Sequence, residues 1–340
     1  MTPSPDRPRV LLLCGGRSAE HEVSLASARS LLAETSERVA WEPRVIDQDG
    51  RWLDAASSRQ RLTGEEATAT GAPVDLEALT GADAVFPLLH GPFGEDGRLQ
   101  GLFEVLGVRY VGSGVLGSAV GMDKLVMKAV LGAADLPQVA YEGVTQDAWR
   151  RAPDTVRARL DSLGWPVYVK PANLGSSIGI ARADDPTERD AALDAAFGYD
   201  RRAIVERAFR DKRELEVAVL GIDDPEASVV GEISFGGDFY DYATKYEAGR
   251  ARLDVPADVP ERVADACRAL ARRAFLAVDA AGLARVDLFW SPSRDELVVN
   301  EINTMPGFTA TSMYPRLWAA SGIAYPELAA RLVGLALADR

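Results

Sequence analysis

Hydrophobic and polar positions along the chain fall into short apolar runs followed by glycine-rich loops, the alternation of an α/β protein. Val10 to Cys14 is one such run and predicts a buried strand; Gly15-Gly16 follows, and apolar positions from Val23 to Leu32 then recur with a helical period. Ala84 to Leu89 repeats the arrangement as a strand running into the loop His90 to Gly97. Loops at the carboxyl ends of strands are where open α/β sheets bind ligands. Residues 53 to 80, rich in Ala, Thr, Gly and Glu, read as an excursion between these units. Gly112-Ser113-Gly114 leads into a helix carrying Met122-Asp123-Lys124, which sets a first boundary.

Beyond it the pattern predicts strand Val167–Pro171, loop Ala172–Gly179, strand Ile180–Arg182, a helix from Glu188 to Phe197 and strand Ala203–Glu206. Strands Leu215–Leu220 and Ser228–Ser234, a Gly/Tyr/Asp-rich loop over 236–249 and a helix from Glu261 to Val278 come next. This divides the chain into 1–112, 113–210 and 211–340. Two last segments, Ala284–Trp290 and Leu297–Asn303, form a hairpin about Arg294. Side chains alternate along a strand, so the hairpin sets Asp287 opposite Glu301 and Arg285 opposite Asn303 on one face, with Val286, Leu288, Trp290, Val298 and Ile302 on the other. Directly opposed carboxylate residues have Cβ atoms about 5 Å apart and destabilise a sheet unless something cationic sits between them. A hard divalent metal suits these oxygen ligands; solvent exposure, or neutralisation by Arg285, are the alternatives that spacing leaves open.

Composition narrows the partners. The chain has 340 residues, 47% of them hydrophobic, enough for the cores of two or three domains. A net charge of −13 argues against nucleic-acid and anionic-membrane binding, so a phosphate site has to be a local concentration of cations. Cys14 and Cys267 are far apart and form no metal or redox motif, which fits a reduced cytoplasmic setting. The proline-rich start lacks the apolar core of a signal peptide, and no segment approaches the roughly 20 apolar residues of a membrane helix. Of the five lysines, Lys124, Lys170 and Lys245 sit in motif-like segments where an ammonium suits phosphate oxygens, while Lys128 and Lys212 read as surface charges.

The loops carry the candidate chemistry. Gly15 to Ser24 departs from the dinucleotide spacing G-x-G-x-x-G; its acidic residues either complement a helix dipole or, at Glu20 or Glu22, receive an ammonium. His21 and His90 are the only histidines, and both lie in the N-terminal loops. Gly175 to Gly179 lacks the Gly-Lys-Ser/Thr of a Walker loop and reads either as an ordinary hairpin turn or as backbone that closes over phosphates behind Lys170. The aromatic, glycine-rich segment from Gly236 to Tyr246 suits a lid that excludes water. The Gly307 amide, beside Arg285, could meet a developing oxyanion.

Taken together the chain resembles the D-alanine:D-alanine ligases of the ATP-grasp superfamily. The strings that carry the resemblance are Gly-Gly-x-Ser-Ala-Glu-x-Glu-Val-Ser at 15–24, Leu-His-Gly-x-x-Gly-Glu-Asp-Gly at 89–97 and Met-Asp-Lys at 122–124. Lys-Pro-Ala-Asn-x-Gly-Ser-Ser-x-Gly follows at 170–179, then Phe-Tyr-Asp-Tyr-x-x-Lys-Tyr at 239–246, and Arg-Val-Asp through Asn-Glu-Ile-Asn-Thr-x-Pro-Gly at 285–307. The resemblance implies a three-domain ATP-grasp fold: an N-terminal open parallel-sheet α/β domain, then two α+β ATP-grasp subdomains. It implies ATP phosphates near Lys124, Lys170, Ser176, Ser177 and Lys245, with Glu206, Phe209, Glu214 and Asn300 around the rest of the nucleotide. Two Mg²⁺ or Mn²⁺ ions would be held by Asp287, Glu301 and Asn303, with Glu301 bridging. Glu20 would hold the first D-alanine ammonium beside His90, with Ser176 and Tyr246 linking the lid to Glu20. Arg285 and Gly307 would face the tetrahedral oxyanion, and Ser312 and Met313 the second carboxylate; some relatives have Leu where this chain has Met313. His21 stays structural. The implied reaction makes D-alanyl-D-alanine through an acyl phosphate, for peptidoglycan precursors, in a cytoplasmic homodimer. A D-alanine:D-lactate ligase is the near alternative, against which Tyr246 speaks. A non-catalytic nucleotide-binding module is the distant one, disfavoured by the whole Asp287, Glu301 and Asn303 set.

Overall fold

The computed structural model describes residues 7–34, 38–65, 71–175, 178–235 and 251–338. Its first sheet is parallel, in the order β2 (Ala40–Ile46), β1 (Arg9–Gly15), β3 (Ala84–Pro87), and Val85 makes a further parallel bridge to Tyr110. β1 is apolar and buried from Val10 onward, as a central strand covered on both faces must be. β2 escapes the hydrophobic pattern because Glu42, Pro43 and Arg44 interrupt it; a proline is tolerated there because β2 is an edge. Helix α1 (His21–Ala33) follows the first loop. The expected excursion over 53–80 carries two short helices in its described residues. Trp52 bridges to Ile46 and Ala72, and α2 (Ala55–Thr63) and α3 (Leu76–Gly81) begin at Asp54 and Asp75, whose side chains accept the backbone N–H groups of Ser57 and Ala78.

After α4 (Arg98–Val105) the single helix expected through Met122-Asp123-Lys124 is two, α5 (Val115–Met122) and α6 (Lys124–Ala133). Asp123 breaks it by capping α6 through the amide of Val126. The second sheet is antiparallel, in the order β4 (Tyr141–Thr145), β7 (Arg202–Arg207), β5 (Val167–Pro171), β6 (Ala181–Ala183), flanked by α7 (Gln146–Arg151), α8 (Pro153–Asp161) and α9 (Pro186–Ala196). The third sheet is also antiparallel: β10 (Ala251–Asp254), β9 (Glu226–Phe235), β8 (Arg213–Gly221), β11 (Gly282–Ser291), β12 (Glu296–Asn303). Three helices complete the chain: α10 (Glu261–Ala277), α11 (Met313–Ala320) and α12 (Tyr325–Leu337).

The β11–β12 ladder pairs Arg285 with Asn303, Val286 with Ile302 and Asp287 with Glu301, the anticipated register at the chemical end. A bulge then intervenes: Leu288 pairs with Val299, so Asn300 is the extra residue. Val298 consequently faces Phe289 rather than joining Leu288, which corrects its expected place on the apolar face. Val299 fills that place, in one core with Val286, Leu288, Trp290 and Ile302. That core also takes Val120, Met127 and Leu131 from α5 and α6. The N-terminal sheet shares its core with α11 and α12, where Leu12, Phe86, Phe308, Trp318 and Leu332 are packed together. The small antiparallel sheet encloses a core drawn wholly from residues 144–205.

Candidate active site

The turn after β1 is fixed by hydrogen bonds to the loop after β3. Gly15 N–H donates to Ser24 Oγ at 2.7 Å, Ser24 Oγ donates to the Leu88 carbonyl, and Ser18 Oγ donates to the His90 carbonyl at 2.6 Å. His21 is buried with Nδ1 2.7 Å from the Gly16 carbonyl, the structural part anticipated for it. Glu20 precedes α1 at its N-terminus. A Cβ built on Gly91 would lie 2.6 Å from Glu20 Oε2, and one on Gly175 would lie 3.2 Å away, so this carboxylate packs against two glycine backbones from separate loops.

His90 is buried, with Nδ1 3.0 Å from the Met305 carbonyl and Nε2 3.3 Å from Ser27 Oγ. A carbonyl only accepts, so Nδ1 carries the proton and Nε2 accepts from the Ser27 hydroxyl. Burial lowers the His90 pKa, against the opposing pull of Glu20 and the Met305 carbonyl. His90 is therefore a neutral, oriented group. Glu95 in the same loop was not singled out in the sequence; burial, reinforced by Glu20, pushes its carboxyl up to about 8, with the Gly91 and Met305 backbone pulling the other way. Its Oε1 accepts from Gly91 N–H at 2.8 Å.

On the opposite side, Lys124 Nζ donates to the Leu174 carbonyl at 2.5 Å, and Lys124 N–H donates to the Ala172 carbonyl at 2.8 Å. Lys170 Nζ lies 2.5 Å from Glu206 Oε2, and Lys128 Nζ lies 3.0 Å from Glu206 Oε1. Lys128 is 1% exposed, which corrects its reading as a surface charge. Lys212 is likewise not a plain surface charge: it pairs with Glu214 at 2.7 Å and lies 4.6 Å from the Phe289 ring centroid. Burial raises the Glu206 carboxyl, but the two ammonium groups outweigh it and hold the pKa at about 2.

The hairpin face carries the remaining charge. Arg285 donates from Nε and Nη2 to the two carboxylate oxygens of Asp287, both at 2.7 Å, and Asn303 Nδ2 donates to Asp287 Oδ2 at 3.1 Å. Of the two opposed carboxylates, Asp287 is the one that Arg285 neutralises here. Arg285 Nε also lies 3.1 Å from Glu216 Oε2. Glu216 is directly paired with Asp287 across β8–β11, so Glu216, Asp287 and Glu301 form a row of carboxylates over three neighbouring strands. Glu216 was missed in the sequence. The signal was available, because Glu214 and Glu216 are two residues apart in a strand whose Leu215 and Val217 are core.

These parts line two joined clefts. The larger, about 600 Å³, is lined by Glu20, His90, Glu95, Lys124, Asn303, Gly307, Ser312 and Met313. The smaller, about 100 Å³, is lined by Lys170, Glu206, Phe209, Glu214, Asp287 and Asn300. Glu216, Arg285 and Glu301 line both. Phe209 stacks on Phe289 with ring centroids 5.9 Å apart, a planar apolar wall for the smaller cleft. Ser312 Oγ accepts from the Thr309 amide at 3.1 Å, and Met313, though it lines the cleft, is buried in the N-terminal core. Asp287, Glu301 and Asn303 present oxygen donors on one face of the β11–β12 ladder, a set that a hard divalent cation fits. Ser176, Ser177, Lys245, Tyr246 and the segment 236–249 lie outside the described residues.

Among known proteins, the family model described as D-ala D-ala ligase N-terminus matches residues 9–113, and that described as D-ala D-ala ligase C-terminus matches residues 130–334. A D-alanine--D-alanine ligase of Deinococcus radiodurans is 54% identical over 338 residues, covering 98% of this chain and 99% of that one. The solved D-alanine-D-alanine ligase of Coxiella burnetii superposes with a TM-score of 0.80 at 35% identity, covering 98% of this chain and 94% of that one. The VanG D-Ala:D-Ser ligase of Enterococcus faecalis superposes with a TM-score of 0.85 at 31% identity, covering 97% of this chain and 99% of that one. The parallel sheet followed by two antiparallel sheets is thus the three-domain ATP-grasp architecture of these enzymes. By sequence, by fold and by both family models, the chain belongs to the D-alanine–D-alanine ligase family.

Proposed function

We propose that this chain joins two D-alanine molecules to D-alanyl-D-alanine at the expense of ATP, in the making of cell-wall precursors. The observation that carries the reading is that residues from sequence motifs far apart line two clefts meeting at Arg285 and Glu301. The smaller cleft takes ATP, with Phe209 beside the base, Glu206, Glu214 and Asn300 around it, and Lys170 and Lys124 toward the phosphates. The larger takes D-alanine. Glu20 receives the ammonium of the first D-alanine, and neutral His90 lies beside that substrate without adding charge. The first carboxylate takes the γ-phosphoryl group of ATP and ADP is released; the deprotonated second amine attacks the carbonyl carbon of this acyl phosphate, Arg285 with the Gly307 amide faces the oxygen on which negative charge develops, and inorganic phosphate leaves as the C–N bond is completed. Ser312 and Met313 border the second carboxylate. Asp287, Glu301 and Asn303 would hold divalent Mg²⁺ or Mn²⁺, two ions in this reading. When bound, the metal neutralises charge on the transferred phosphoryl group. Ser176, Ser177, Lys245 and Tyr246 close the site over phosphates and substrate.

We further propose bodies divided near residues 112 and 210, a homodimer, and a cytoplasmic setting. Among the described residues no helix is long and apolar enough to cross a membrane. The test is phosphate release with ATP and Mg²⁺ from D-alanine, L-alanine, and D-alanine with D-lactate, the products identified by mass spectrometry. Release with D-alanine but not L-alanine, and a dipeptide product, are expected. Predominant depsipeptide at pH 7 or above would replace this reading with a D-alanine:D-lactate ligase.

A further inference from the structure

Among the described residues Arg285 lies within ion-pair distance of two carboxylates, and a metal at the proposed seat draws on only one of those two. Asp287 receives the guanidinium through both oxygens at 2.7 Å, so a cation held by Asp287 shares that carboxylate's charge with the guanidinium and loosens its hold on Arg285. Glu216 stands on the other side, its Oε2 3.1 Å from Arg285 Nε. The strand pairing explains why Arg285 can reach it. The residue directly opposite Arg285 on β8 is Ala218, which leaves room for the guanidinium to lean to the diagonal neighbour Glu216. Glu216 is 5% exposed, and it lines both clefts, as Arg285 does.

We propose that Glu216 is a positioning residue: the carboxylate that keeps the Arg285 guanidinium at the junction of the two clefts when Asp287 turns to a divalent cation. The inference rests on the functional reading above, in which Arg285 meets the developing oxyanion and Asp287 holds metal. Glu216 touches neither substrate nor metal in this scheme and acts through Arg285. Without it the guanidinium has, among the described residues, Asp287 as its remaining close carboxylate, and it competes with a cation for that charge.

Two measurements on Glu216→Gln, Glu216→Asp and Arg285→Lys test this. Mn²⁺ binding to the full-length protein, without nucleotide or amino acid, is followed by electron paramagnetic resonance of the free ion. Glu216→Gln should lower Mn²⁺ affinity roughly tenfold, the effect of losing an outer partner of a metal ligand. In the Arg285→Lys background, where a point charge replaces the two-pronged contact, the same substitution should leave affinity within about twofold. In steady-state assays Glu216→Gln should lower kcat on the order of tenfold to a hundredfold while the KM for ATP changes little, the loss expected from a misplaced catalytic group. Glu216→Asp should recover most of both. Losses in kcat from Glu216→Gln and Arg285→Lys should not add, because one acts through the other. Wild-type Mn²⁺ affinity and kcat in Glu216→Gln, or additive losses, overturn the proposal. Should the Gln variant not fold, the same cycle with Glu216→Met, which keeps the side-chain length without the charge, decides it by the same criterion. A wild-type protein that releases no phosphate with D-alanine brings down the functional reading instead, while the Mn²⁺ arm still reports on Glu216.

Discussion

At Glu206 two ammonium groups share one carboxylate in a pocket almost closed to water. Such a cluster is stable only while the acid is ionised, since protonation leaves two buried cations with no counter-charge between them. The folded pKa of about 2 lies below the ordinary 4.5, so the contribution to stability is complete above pH 4.5 and is lost as pH falls through that window toward 2. The expected size is on the order of a few kcal/mol. Wild type should therefore resist urea better than Glu206→Gln at pH 6, with the gap shrinking progressively between pH 4.5 and 3; a gap that ignores pH would remove this account. Lys128 was legible in part. It follows Lys124 by four residues and is framed by Met127 and Leu131, so helical periodicity alone turns it toward the same inward face. What one dimension hides is its partner, because Glu206 arrives from β7, far along the chain.

Elements recovered from the sequence are those whose period is unbroken. Strand β5 has the expected ends, and α10 differs by one residue at its C-terminus. The hairpin register was readable at Asp287 and Glu301 but not beyond, because a one-residue bulge at Asn300 leaves no mark in a pattern of apolar residues. Loop geometry is similarly silent until built. Gly15 shows the consequence: its φ is +88°, and a Cβ there would lie 2.2 Å from the Ile46 carbonyl oxygen. An L side chain meets both a left-handed backbone and a collision with β2, an edge strand that cannot retreat without breaking its ladder to β1. Gly15→Ala should cost about 2 kcal/mol or more, seen as an earlier urea midpoint at unchanged slope. It should also raise the KM for D-alanine, because the same turn leads into Glu20. A variant as stable as wild type would mean the turn relaxes without involving β2.

Across the whole molecule the apolar cores and the polar links are arranged differently. The N-terminal sheet and helices α11 and α12 share one core, which ties His90 and Ser27 to Met305 and Phe308 and makes that wall of the larger cleft continuous. The small antiparallel sheet keeps a core of its own, and its connections to α6 include charged and backbone links: Lys128 to Glu206, Asp123 to Arg202, and the Lys124 amide to Ala172. Sequence periodicity could identify the apolar segments but not which of them share a core, since that depends on contacts between residues hundreds of positions apart. A joint held by polar links buries less apolar surface than a shared core, so the small sheet should separate or unfold locally below the global free energy. Native-state hydrogen exchange is expected to show β5 and β7 opening at lower free energy than β8 and β11. ADP with Mg²⁺ at the seat proposed for it in the smaller cleft should narrow that difference, because a ligand that contacts both sheets stabilises the joined form by RT ln(1 + [L]/Kd), about 2.7 kcal/mol at a hundredfold excess over Kd. D-alanine alone should slow exchange mainly around 15–27 and 303–312. Protection of β5 and β7 that already equals that of β8 and β11 without nucleotide would show that the charged joint is as strong as a core, and the nucleotide would then have no separate body to secure.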